Sequence, residues 1–450
     1  MRIFNRKRFK GGRVLVIGLD GVPFSLITKL SGEGRLPNLT RLLESGSWKR
    51  MNSVHPCVSS VAWATYMTGK NPGKHNIYGF VDRFPHTMDV YIPTSRDMTS
   101  NTLWEILSQA GKRVVVINVP LTYPPREVNG ILISGFLCTN IEKVSYPKDV
   151  SRVLKEMGYR IDVDAWQARE SLDRFLEDLR LTLDKRIEAA VYFLESEKWD
   201  FFQLHIMETD RINHFLWGLW EEGDSPYGPE FVSYYQKIDE MVGRISAMLD
   251  GDTRLIILSD HGFCGMKKEV FLNHWLQREG WLKFREEAPK SVKDIHQESK
   301  AYSLIPGRIY VNVAGRESSG TVHSPDEYEG VRNELSGALL GMKDPESGER
   351  IIERVFRREE LYHGPHCNDG PDLVATPHNG YDLKGNLDKK ELTFKGPLVG
   401  MHTYDDAFLY MKDVEVVRED NTFGVMDVMP TVLKLMEVDP PEDLDGTPLI

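Results

Sequence analysis

Three aspartates in this chain share one local setting. Asp20 closes the apolar run RVLVIGLD, Asp260 closes TRLIILSD, and Asp210 follows the run FFQLHI inside METDRINHF. Each run is short and rich in branched side chains, which predicts a buried strand of a parallel sheet. In open α/β sheets, ligands collect beyond the carboxyl ends of the strands. Three acids at that edge repel one another unless cations lie between them. His214 comes four residues after Asp210, and His261 directly follows Asp260. Such an Asp/His mixture suits zinc or manganese better than magnesium, which prefers oxygen ligands and water. A single aspartate after a strand is ordinarily a cap or a turn residue. It is the threefold recurrence, twice with a histidine beside it, that argues for metal.

Ser59 raises the next question. It stands in PCVSSVAWATYMTGK, at the start of a helix predicted over residues 60–68. Either Ser59 or Ser60 fits an N-cap. Ser59 also fits a nucleophile: amides at a helix start favour an anion, and a cation touching the hydroxyl favours the alkoxide. Without the three acids the capping role is the better reading; with them the nucleophile gains a context.

The elements that must position these residues alternate. Helices are predicted over 36–44, 101–110, 171–197 and 231–249, with strands over 13–20, 112–118, 201–206 and 253–260. That alternation means α/β with a mostly parallel sheet. From about Cys264 to Lys395 the pattern loosens into charged and Gly/Pro-rich stretches, with strands expected only at 308–313 and 371–375. Residues 407–411 read as a returning strand and 426–436 as a closing helix. The expected division is a basic tail over 1–12, a catalytic core over 13–263 and 396–450, and an elaboration over 264–395 that partly covers the site and partly completes the core.

Composition bounds the partners. The chain has 450 residues, 41% hydrophobic and 27% charged, which is globular. The net charge of −11 argues against a large phosphate-backbone footprint, so no stable nucleic-acid complex is expected. No apolar run approaches the roughly 20 residues of a transmembrane helix, and the basic start lacks the apolar stretch of a secretory signal. Cys57, Cys138, Cys264 and Cys367 form no CxxC pair. They read as reduced thiols in a cytoplasmic protein. His205, inside an apolar strand, reads as a core histidine. Trp63, Tyr78 and Phe80 read as packing, His274 as a candidate pocket wall, and His363 and His366 as a structural loop.

Seven motifs, in order, carry a family resemblance: LDGVPF, LPNLTRLLESG, PCVSSVAWATYMTGKNPGKHNIYGF, METDRINHF, LSDHGF, GMHTYDDAFLYM and MDVMPTVLKLMEVDPPEDLDGTPL. The chain resembles the alkaline phosphatase superfamily, in its type I phosphodiesterase/nucleotide pyrophosphatase branch, over almost its whole length. The resemblance implies a three-layer α/β/α sandwich with an irregular insertion. It implies two divalent metal ions, zinc or alternatively manganese. Asp20, Asp260 and His261 would hold one together with Ser59, and Asp210, His214 and His402 the other. His402 enters by resemblance alone. The implied activity is hydrolysis of phosphodiester or pyrophosphate bonds, nucleotide-type substrates included, through a covalent phosphoserine at a two-metal site. The implied partner is a small phosphoester, and the oligomeric state stays open.

Two departures bear on substrate. Nucleotide pyrophosphatases typically use threonine where this chain has Ser59, and they carry an asparagine three residues later where this chain has Ala62. A sulfatase, which needs C/S-x-P-x-R, is disfavoured, since neither CVSSV nor SVAWA supplies the Pro or the Arg. The alternatives are a phosphomonoesterase or phosphomutase of the same superfamily, or a metal-binding scaffold that has lost turnover.

Overall fold

The computed structural model describes residues 12–450. The stretch expected as a basic tail lies outside it, apart from Gly12. Eight strands form the central sheet: β1 (Arg13–Leu19), β2 (Gly46–Met51), β3 (Val114–Ile117), β4 (Gly130–Ile133), β5 (Ser145–Tyr146), β6 (Phe201–Ile206), β7 (Thr253–Leu258) and β8 (Ala407–Lys412). Their spatial order is β2-β8-β7-β1-β6-β3-β4-β5. Strands β7, β1, β6, β3 and β4 are parallel. β8 runs antiparallel to both β7 and β2, and β5 antiparallel to β4.

Alternation along β1 divides the core. Val14 and Val16 join one hydrophobic cluster, and Leu15, Ile17 and Leu19 the other. Both faces are buried because helices cover both, which is why these strands read as unbroken apolar runs. Helices Ser59–Thr68, Leu103–Gln109 and Val428–Leu435 pack on the first face, and Leu172–Ser196, Glu208–Glu221 and Gly228–Ala247 on the second. The result is the three-layer α/β/α sandwich. Local signals fix the helix starts. Thr102 and Glu105 form a capping box, and Ser171 accepts a hydrogen bond from the Arg174 amide.

The register matters most for function. Gly18 lies beside His205 on β6 and Leu258 on β7. The three strands therefore end level, and the chain leaves them at one edge carrying Asp20, Asp210 and Asp260. Gly18 has a second consequence. A Cβ there would lie 2.5 Å from the Trp63 ring, so the missing side chain makes the space in which that indole lies against the sheet.

Between the seventh strand and the returning eighth, the chain is more regular than expected. Lys268–Phe271 pairs with Tyr381–Lys384. Ala301–Leu304, Arg308–Val311, Leu373–Pro377 and Ile352–Arg357 form a four-stranded sheet. Helix Pro325–Leu340, capped by Ser324, buries Val331, Leu335 and Leu339. Together with Val270, Tyr302 and Leu373 these residues gather a hydrophobic cluster of their own. Among the described residues no helix is long and apolar enough to cross a membrane.

Filling the Gly18 space tests the packing. Gly18→Ala should destabilise the protein by about 1–3 kcal/mol through overpacking against Trp63, measured by urea unfolding. An unchanged midpoint would mean that Trp63 shifts without cost.

Candidate active site

The Ser59–Thr68 helix starts at Ser59, and the cap position is Val58, which makes no side-chain cap bond. Ser59 is therefore not the N-cap. Its hydroxyl donates instead to Asp20 Oδ1 at 3.0 Å and lies 3.2 Å from His261 Nε2. Ser60 does not cap either: its hydroxyl is buried without a partner. The Val61 and Ala62 amides donate to the Val58 carbonyl at 3.0 Å, so only the amides of Ser59 and Ser60 at the very start of the helix lack intrahelical acceptors.

Asp20, Asp260 and His261 converge into one group with ligand atoms mutually within 4.8 Å. Asp20 leaves β1 into the Gly21 turn, which has φ +65; a side chain there would also meet Phe263 and His261. The Gly21 amide donates to Asp260 Oδ1 at 3.0 Å, while Asp260 Oδ2 is buried without a hydrogen-bond partner. Burial and the neighbouring Asp20 carboxylate push Asp260 well above the ordinary carboxylate range. Burial, and then His402, lower His261 to about 3, so its imidazole is neutral. Its Nδ1 lies 3.0 Å from the Gly262 carbonyl. That contact places the proton on Nδ1 and leaves Nε2 a bare lone pair facing Ser59 and Asp260.

Asp210, His214 and His402 form a second such group. Asp210 and His214 sit one turn apart on the Glu208–Glu221 helix. His402 arrives from the far end of the chain, because Gly262–Gly265 pairs antiparallel with Gly400–Thr403 and sets His402 opposite Phe263. His402 Nε2 is 3.1 Å from both Asp210 Oδ1 and His214 Nε2. The Nδ1 atoms face backbone carbonyls, His214 toward Gly400 at 3.0 Å and His402 toward Cys57 at 3.3 Å. Burial opposes the charged Asp210 carboxylate, yet His214 and His402 hold it well below its ordinary range. The two groups adjoin, since the His261 and His402 rings stack at 3.8 Å. Every residue expected at the site is thus brought to one place.

Two residues were not expected there. Trp63 Nε1 donates to Asp20 Oδ2 at 2.8 Å, and His205 Nε2 contacts the same oxygen at 2.9 Å. His205 is therefore not merely a core histidine, nor Trp63 merely packing. Both lie on the β1 face opened by Gly18, edge to face with ring centroids 4.6 Å apart. They occupy one oxygen of Asp20 and orient the other toward Ser59. The sequence signal for this pair is the glycine within an otherwise apolar strand, which marks a close approach. The other histidines stay apart from the cluster. His363 contacts Asp445, His366 contacts Asp369, and His274 faces the Lys389 carbonyl away from the cleft lining.

A cleft of about 980 Å³ opens from the second group, with His214 and His402 in its wall. The side chains of His214 and His402 are 19% and 16% exposed, whereas Asp20, Asp260 and His261 are fully buried. One group thus meets solvent and the other is sealed behind it. The far walls come from residues 353–356, 374–384 and 305–306.

Comparison with known proteins agrees with this architecture. The family model described as Type I phosphodiesterase / nucleotide pyrophosphatase matches residues 14–405. The chain belongs to that family, within the alkaline phosphatase superfamily, and is a phosphoric ester hydrolase. Among solved structures, phosphonoacetate hydrolase from Sinorhizobium meliloti 1021 in complex with phosphonoformate is similar with TM-score 0.65 and 16% identity, covering 96% of this chain and 98% of that one. Murine ectonucleotide pyrophosphatase/phosphodiesterase 5, in an inactive form with AMP, gives TM-score 0.58 and 15% identity, covering 96% and 97%. The human counterpart gives 0.57 and 15%, covering 97% of each. At these identities the likeness is one of fold. No curated protein matches by sequence.

The pair on Asp20 gives a prediction. Trp63→Phe keeps the ring but removes one donor, and should weaken divalent-ion binding by about tenfold or more, measured by chelator competition. Unchanged affinity would reduce Trp63 to a packing role.

Proposed function

We propose that this protein hydrolyses phosphodiester or pyrophosphate bonds by a phosphoserine route at a site that takes two divalent ions. One observation carries the reading. Three carboxylates and three imidazoles converge beside a serine hydroxyl in two groups, the ligand atoms of each mutually within 4.8 Å, and all three Nδ1 atoms face backbone carbonyls so that each Nε2 is turned inward. Buried lone pairs facing one another are costly unless a cation sits between them. The orphaned Asp260 Oδ2 makes the same demand. Asp20, Asp260, His261 and Ser59 would hold one ion, and Asp210, His214 and His402 the other. The Asp/His mixture favours zinc, with manganese as the alternative. Bound there, such ions supply Lewis acidity and lower the pKa of a hydroxyl or a water.

The protein's own groups account for the rest. Asp20 Oδ1 accepts the hydrogen bond of the Ser59 hydroxyl and orients it, and Trp63 and His205 hold that carboxylate in place. The Ser59–phosphorus bond forms as the bond to the leaving oxygen breaks, and the proton released from the Ser59 hydroxyl ends on the departing alcohol or phosphate. A water then attacks the phosphoserine, releasing the phosphoryl product and restoring the hydroxyl. The amides of Ser59 and Ser60, at the start of that helix, would meet the charge that builds on the phosphoryl oxygens. Nucleotide-type esters are one substrate class compatible with the family. The elaboration over 264–395 covers the site by walling the cleft. Four free cysteines suit the reducing cytoplasm.

The test compares three variants. Ser59→Ala should lower turnover of a chromogenic diester by more than about a thousandfold, as loss of a nucleophile does, while metal analysis still finds bound ion. Asp260→Asn and His214→Ala should lose ion and activity together. Normal rates in Ser59→Ala would sink the phosphoserine route. Tight ion binding with no turnover of any phosphoester would favour a scaffold.

A further inference from the structure

The cleft beyond the acid–histidine cluster has a chemistry of its own. We infer that it receives an uncharged, largely apolar arm of a phosphodiester, so that the preferred substrate carries its only negative charge on the reacting phosphoryl group. This rests on the hydrolase reading above and narrows its substrate class.

A cleft of about 980 Å³ far exceeds a phosphoryl group and matches pockets that enclose whole organic ligands. Charge comes next. Among the described residues the lining holds two permanent cations, Arg354 and Lys384, against three carboxylates, Glu353, Asp382 and Asp405. Neither cation is free. Lys384 pairs with Asp382 at 2.5 Å and has Glu269 at 4.0 Å. Arg354 lies over the Phe356 ring at 4.0 Å, reaches Glu360 at 3.6 Å, and stands at the rim with its side chain 61% exposed. Among the described residues a second phosphate in the arm would meet carboxylates and no unpaired lysine or arginine, which is a built-in element of rejection.

The wall itself is aromatic. From the rim inward, Arg354 covers Phe356, Phe356 packs on His55 at 4.6 Å, and His55 stacks on Tyr404 at 4.1 Å. Burial, and then Arg354, lower His55 to about 4, so it adds no cation. Phe80 and Leu398, both only partly buried, give the cleft further apolar surface. A monoester has no second arm and would leave this surface wet.

Three substrates separate the possibilities with the metal-loaded protein: bis(p-nitrophenyl) phosphate, methyl p-nitrophenyl phosphate and ATP. The first two share a leaving group and differ in the arm. The expected order of kcat/KM is aryl, then methyl, then ATP. Phe80→Ala should cut the aryl-to-methyl ratio by about tenfold, the scale of lost apolar contact in a pocket. Leu398→Lys should raise the relative rate on ATP. Binding of bis(p-nitrophenyl) phosphate to Ser59→Ala, measured by calorimetry, should weaken similarly when Phe80→Ala is added. ATP as the best substrate, or an aryl-to-methyl ratio untouched by Phe80→Ala, overturns the inference while leaving the hydrolase reading intact. No turnover of any ester by the wild type overturns that reading instead, and the calorimetry then decides the arm separately.

Discussion

Like charges and lone pairs gathered out of reach of water are the condition around which this molecule is built. Asp20 and Asp260 are wholly buried and face one another across the Gly21 turn. Left alone, such a pair relaxes by taking up a proton or moving apart. The rise in Asp260 toward the protonated form is the first of these responses. Movement is resisted by the sheet. The two acids leave neighbouring parallel strands in fixed register, and central strands buried on both faces cannot slip without moving every side chain they carry. The repulsion is thus held in the backbone, and it is what the cation proposed for this site would relieve.

The distance between the two groups is set by a single helix. Along Glu208–Glu221, Asp210 and His214 face the exposed group. Thr209 and Asn213, each one position earlier, turn to the sealed group. Thr209 Oγ1 donates to the Asp20 carbonyl at 2.6 Å, and Asn213 Nδ2 donates to the Gly21 carbonyl at 2.8 Å. Tyr235 fixes Asn213 in turn, its hydroxyl donating to Oδ1 at 2.8 Å. Two residue pairs at i, i+4 spacing thereby tie both clusters to one rigid rod. The stacked rings of His261 and His402 close the junction from the other side.

This geometry explains what the sequence made legible. Asp20, Asp210 and Asp260 announce themselves because a strand that ends in an acid is a local pattern. His214 and His261 lie within reach of those acids along the chain. His402 has no such local signal, since its place depends on pairing between Gly262–Gly265 and Gly400–Thr403. Only resemblance pointed to it. His205 and Trp63 were hidden for a different reason: their role needs the register that sets Gly18 beside His205 and the vacancy that admits the indole. The region after Cys264 was underread because its strands are short and its surface is charged. Even so, Ser324, Pro325 and Glu327 are an ordinary helix start.

The core carries the acid–histidine cluster, whereas most of the cleft wall comes from the region with the weakest sequence pattern, and the two are packed together. The segment before Ser59 is held from both sides. Tyr362 donates to the His55 carbonyl at 3.0 Å, and Phe356 packs on the His55 ring. From the core, Cys57 Sγ donates to the Thr403 carbonyl at 3.3 Å, and His402 contacts the Cys57 carbonyl. The wall of the cleft and the segment leading to Ser59 are therefore one packed structure. An arm filling the wall, as inferred above, would press on the same residues that set the Ser59 helix start. In a site of this kind, binding energy from the remote arm reaches the reacting centre through contacts already present.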